Sequence, residues 1–128
     1  MTRNTNRATA TIGTTDTVAI IIPVLGSSAI TICVQNTGAV ALNSFALQGR
    51  VGANTPWFTI ADESTDFTPS PLPSGTLLRF SEDVNPLTLA ADNAISFGID
   101  CTAISELRIV ATVASGTTIL ETAFCRGA

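Results

Sequence analysis

The run from Leu107 to Phe124, LRIVATVASGTTILETAF, restricts the fold more than any other stretch of the chain. Leu107, Ile109, Ala111 and Val113 alternate with Arg108, Val110, Thr112 and Ala114, the period of a strand with one buried face. Beyond Ser115 and Gly116, a second run carries Leu120 and Phe124 on one parity and Ile119 and Glu121 on the other. With Ser115-Gly116 as the whole loop, Thr112 opposes Ile119, Val110 opposes Glu121 and Leu107 opposes Phe124. That register sets Leu107, Ile109, Val113, Leu120 and Phe124 on one face, and a loop one residue longer would turn one strand's apolar set towards water. The sequence therefore predicts a hairpin whose apolar face needs a second sheet to cover it.

The rest of the chain supplies strands for that sheet. Thr17 to Leu25 places Val18, Ile20, Ile22 and Val24 on one face and Ile21 on the other; Pro23 suits an edge. Ala29 to Gln35 alternates cleanly, with Cys33 opposite Ile30, Ile32 and Val34, and Asn36-Thr37-Gly38 turns. Val40 to Val51 carries Phe45, Leu47 and Val51 on one parity, with Asn43-Ser44 as a bulge and Gly49 as a weak point. Trp57 to Ile60, Thr76 to Ser81 and Ala94 to Cys101 complete the set, the last with Ile95, Phe97 and Ile99 on one face. The irregular stretch from Asp62 to Gly75 holds Pro69, Pro71 and Pro73, which stiffen it. About seven or eight short strands, spaced roughly ten residues apart with no helical period, predict an all-β, two-sheet antiparallel sandwich over residues 17–128. Residues 1–16, MTRNTNRATATIGTTD, are polar and lack a core of their own, and are expected to form an extended N-terminal arm held by a neighbouring copy, by another protein or, as an edge strand, by its own sandwich.

Composition narrows the function classes. At 128 residues the chain is one domain. Charged residues make up 12% of it, about half the usual share, and all six basic residues are Arg. A net charge of −4 offers no basic footprint for nucleic acid or anionic lipid, and the longest apolar run is too short to span a bilayer. That run, VAIIIPVL, follows a polar segment containing Asp16 and is broken by Pro23, so it reads as a strand rather than a secretion signal. The odd count of cysteines, Cys33, Cys101 and Cys125, contains no C-x-x-C pair; three small buried or half-buried thiols in a reducing cytoplasm are expected.

Catalytic chemistry is not visible. His, the usual base beside a Ser or Cys nucleophile, is absent. The acidic groups Asp62, Glu63 and Asp66, and Glu82 with Asp83, lie in turns where carboxylates are ordinarily solvated. No catalytic residue, cofactor or metal site is expected. Trp57, the single Trp, reads as a core anchor in preference to an interface anchor.

The outward residues point to contact with other proteins. Neutral side chains are cheap to desolvate, and interface centres are depleted in charge. On the hairpin's outer face Arg108 and Glu121 are expected to form a diagonal, weak ion pair, with Val110 and Ile119 beside them. With Ile21 on the first strand, Val110 and Ile119 form the expected contact surface, and Arg3 and Arg7 of the arm are expected to meet acidic groups on a partner.

The segment Ile30 to Gly38, ITICVQNTG, resembles the strand-turn of bacterial immunoglobulin-like adhesion modules, in which an alternating strand ends in Val-x-Asn-x-Gly; SELRIVATVASGTTILETAF resembles the last hairpin of such sandwiches. Taken with a short, Lys-free, Thr-, Ala- and Ser-rich chain and a polar arm, the whole is similar to the small decoration, or cement, proteins of tailed bacteriophage capsids. That resemblance implies an immunoglobulin-like sandwich and a structural role without catalysis. It implies a homo-oligomer on the virion surface, made in the host cytoplasm, that binds the major capsid protein and neighbouring copies of itself and stabilises the shell. The alternative it leaves is a cell-surface or secreted immunoglobulin-like adhesion module that binds calcium or carbohydrate through Asp62, Glu63 and Asp66.

Overall fold

Strict alternation makes β3 (Ala29–Asn36) the reference strand: Ile30, Ile32 and Val34 are buried while Ala29, Thr31, Cys33 and Gln35 are exposed. The computed structural model describes residues 4–24, 26–62, 78–80, 90, 93–101 and 104–126. The other strands in that part of the chain are β1 (Asn4–Ile12), β2 (Thr17–Pro23), β4 (Leu42–Arg50), β5 (Phe58–Asp62), β6 (Leu78–Phe80), β7 (Ala94–Asp100), β8 (Glu106–Val113) and β9 (Thr118–Arg126). They form two antiparallel sheets. One has the order β1-β9-β3-β7-β6 and the other β2-β8-β4-β5. Between them lies a core that includes Ile22, Ile32, Phe45, Leu47, Leu107, Ile109 and Leu120, all essentially inaccessible to solvent. An all-β two-sheet sandwich is thus the architecture, as the strand spacing implied.

The predicted hairpin is not formed. β8 pairs with β2 and β4 in the four-stranded sheet, whereas β9 pairs with β1 and β3 in the five-stranded one. The chain between them, residues 114–117, crosses from one sheet to the other, and Gly116 takes a left-handed φ of 73° there. Alternation cannot separate the two arrangements. A hairpin and an arch bury the same parity on each strand; in the arch the two buried rows face each other across the core. The buried rows are accordingly the expected ones, with Leu107, Ile109, Val113, Leu120 and Phe124 all inside.

A buried polar node fixes the arch. The Asn36 side chain donates to the Val40 carbonyl at 2.8 Å and accepts from the Gly38 N–H at 3.1 Å and from the Thr118 hydroxyl at 2.7 Å. The Thr37 N–H also donates to the Ile119 carbonyl at 2.9 Å. Asn36 and Thr118 are buried, so these bonds satisfy groups that water cannot reach. A Cβ on Gly38 would collide with the Thr118 hydroxyl and stand 2.7 Å from the Ile119 nitrogen, which explains glycine at that point of the turn.

The segment expected as an arm is, over Asn4–Ile12, the edge strand of the five-stranded sheet. It pairs with β9 along its whole length, from Asn4 opposite Arg126 to Ile12 opposite Thr118. Ile12 is fully buried and Ala8 and Ala10 pack against the core, so these three supply a small apolar row. The expected boundary after residue 16 falls in the β1–β2 turn, which the Val113 N–H closes by donating to the Gly13 carbonyl at 2.9 Å.

Smaller departures have local causes. A register shift between Val18 and Ile20 lets Ala19 and Ile20 both face the core and turns Val18 outward. The bulge expected at Asn43-Ser44 is present as a shift between Leu42 and Ser44. Gly49 is a close-packing position, where a Cβ would lie 3.1 Å from Ile60 Cδ1 and 3.3 Å from Ile104 Cγ2. Val51 lies past the end of β4 and is exposed.

Candidate interaction surfaces

Register builds the outer face of the four-stranded sheet. Arg108 on β8 stands between Ile21 on β2 and Gln48 on β4, and Glu106 stands between Pro23 and Arg50. Arg50 pairs with Glu106, its Nη2 2.6 Å and its Nε 2.8 Å from the same carboxylate oxygen. Arg108 Nε donates to Gln48 Oε1 at 2.7 Å. Both guanidinium carbons lie 4.4 Å from the centre of the Trp57 ring. Each such stack contributes about 0.5–1 kcal/mol at a partly exposed site. Trp57 is therefore neither in the core, as expected, nor loose in solvent, but half-buried on the outer face, held by two cations that are themselves tied down.

Apolar side chains continue this surface. Ile21 is 50% exposed, Val18 is 42% exposed, and Val110, which stands between Val18 and Ala46, is half-buried. Of the expected contact residues, Ile21 and Val110 thus share one face.

The others do not join them. Ile119, 41% exposed, is on β9 and faces out from the opposite sheet, together with Glu121. The expected grouping of Val110 with Ile119, and the expected pair of Arg108 with Glu121, are corrected by the arch, which puts the two strands on opposite sides of the sandwich. Arg7 is exposed on β1, in the same sheet as Ile119, and Arg3 lies outside the described residues.

The outer face of the five-stranded sheet is built of small neutral residues. Among the described residues, Thr9 and Thr11 of β1, Thr31, Cys33 and Gln35 of β3, and Ala123 of β9 occupy it beside Ile119, with Arg7, Asp100 and Glu121 as charges. Cys33 is exposed rather than half-buried; Cys125 is half-buried and Cys101 buried, and all three thiols are free. Burial, with the Asp100 carboxylate adding to it, pushes the Cys101 thiol up to about 11, so at neutral pH it is a protonated, unreactive packing group.

The acidic cluster expected at Asp62, Glu63 and Asp66 is described only at Asp62, which is half-buried at the end of β5; Glu63 and Asp66 lie outside the described residues. Among the described residues no group of three or more Cys, Asp or Glu side chains is spaced to hold a metal ion.

Sequence reasoning missed the Trp57 cluster and Val18. Arg50, Trp57 and Arg108 have no common local pattern, and only the β4–β8 register brings them together. The signal for Val18 would have been a bulge, and TVAII contains neither Gly nor Pro to mark one. No known family model matches this sequence, and no curated protein does.

Proposed function

We propose that this chain is a non-catalytic structural protein of a virion, a capsid decoration protein with an immunoglobulin-like sandwich that binds major capsid subunits and neighbouring copies of itself and so stabilises the shell. The carrying observation is the outer face of the four-stranded sheet, which presents exposed Ile21 and Val18 together with a Trp57 ring stacked on Arg50 and Arg108, the latter standing opposite Ile21. Trp and Arg are the residue types that dominate interface hot spots, and a side chain held in place before contact loses little further entropy on binding. The low overall charge supports the same role, since few ions need be stripped of water.

The immunoglobulin-like assignment draws support from strand order. β3-β7-β6 follows the B-E-D order of such domains and β8-β4-β5 the F-C-C′ order, while β2 and β9 occupy exchanged flanks. Attachment in this proposal uses a sheet face and not a free tail, because Asn4–Ile12 is committed to the sandwich.

The test is binding of the purified protein to capsids of the encoding virus that lack it. Ile21→Asp and Trp57→Ala should each weaken attachment by roughly ten- to a hundredfold, as expected for hot-spot residues, with circular dichroism unchanged. Wild-type attachment by both variants, or no attachment by the unaltered protein, would overturn the proposal.

A further inference from the structure

The two sheets of a sandwich end in edge strands with unpaired backbone groups, and soluble proteins usually guard them with proline, bulges, charge or short length. Here β2 carries Pro23 and a bulge at Val18–Ile20, the β4–β5 pair is bulged between Leu47 and Gln48, and β6 has three residues. β1 has nine residues, a continuous register with β9, no proline, and Arg7 as its one charged residue. It is the unguarded edge among the described strands.

We infer that β1 is a self-association strand, which pairs antiparallel with β1 of a second copy and joins the two five-stranded sheets into one. Its own sequence favours a second copy over an unrelated strand. A two-fold axis at Ala8 pairs all nine residues, Asn4 with Ile12 at each end, Thr5 with Thr11, and Arg7 with Thr9. No like charges meet in that register. Centring on Arg7 instead would set two guanidiniums opposite each other, and centring on Thr9 would leave the first two residues unpaired. Cross-strand Thr–Thr pairs are favourable on a sheet surface, and this register sets Thr5 opposite Thr11 twice in each joint. A single strand-to-strand joint buries less than the roughly 1,200 Å² of stable interfaces, so the free dimer is weak, with a Kd of about 10–500 µM. Of the proposed function this inference rests only on contact between copies; the capsid contact uses the other sheet.

Sedimentation velocity of the full chain across that concentration range reads the association directly. Thr9→Lys sets a cation opposite Arg7 of the second copy, twice per dimer, and should weaken the dimer by roughly tenfold or more. Within its own chain the new Lys stands opposite Glu121, so the fold is kept. Adding Arg7→Glu to Thr9→Lys makes the facing pairs attractive and should restore association. Ile21→Asp should leave it unchanged, which separates this contact from the capsid-binding face. A chain that stays monomeric throughout the range would overturn the inference, as would a dimer indifferent to Thr9→Lys or one lost with Ile21→Asp.

Discussion

Gly38 leaves no room for any side chain, and this makes it the most sensitive position of the β3–β4 turn. Gly38→Ala would press on the Thr118 hydroxyl and on backbone atoms, and so break the Asn36 node from outside; a loss of about 3 kcal/mol in urea unfolding is expected. Thr122 is the opposite case. Its hydroxyl is buried on β9 without a hydrogen-bond partner among the described residues, so Thr122→Val, nearly the same shape, should raise stability by about 1 kcal/mol in the same assay. Cys101 gives a pH dependence with a definite sign. Its thiol pKa is raised by folding from 9.0 to about 11, so its protonated form is favoured in the folded state. The stabilisation is therefore complete below pH 9 and disappears as pH rises towards 11. Unfolding midpoints measured from pH 8 to pH 11 should fall over that interval, and less so in Cys101→Ala. The turn chemistry of Asn36-Thr37-Gly38 was legible in the sequence, but its bond to Thr118 was not, because the two lie 82 residues apart.

At the level of the strand, parity was readable and partnership was not. Alternation in β3, β8 and β9 identifies the buried row residue by residue, because a pleated strand has only two faces. Which strand lies alongside depends on edge hydrogen bonds that every residue type except proline can make in full, so Ser115-Gly116 reads as a hairpin turn and is an arch. The same limit applies to β1. Its inward row is Ala8, Ala10 and Ile12, too small to register as amphipathic, yet enough to cover the flank of β9. Removal of residues 1–16 tests the difference between a tail and a strand. Loss of a tail would leave folding intact. Loss of β1 should instead strip one side of β9, remove the buried Ile12 and lower stability by several kcal/mol, roughly 3–5 from the side chain and its ladder, read as a lowered Tm with aggregation.

As a whole molecule the sandwich presents two unlike exteriors. Among the described residues, one sheet shows mainly Thr, Cys, Gln and Ala with a single large apolar residue, Ile119; the other shows Ile21, Val18 and a clamped Trp57. Few signs of that division were available before the register was known, since the clamp draws on β4, the turn before β5, and β8. The sheets are tied at one end by Arg126 of β9, whose Nε donates to the Pro23 carbonyl of β2 at 2.8 Å while its guanidinium lies 5.0 Å from the Phe124 ring centre. The position of β9, between β1 and β3, also governs when the molecule can assemble. A strand inside a sheet is the keystone of its neighbours, and this keystone is synthesised after both of the strands it joins. Until residue 126 has left the exit tunnel, the place between β1 and β3 stays empty; nascent chains halted short of it should stay protease-sensitive, and folding should follow the emergence of β9 in one late step.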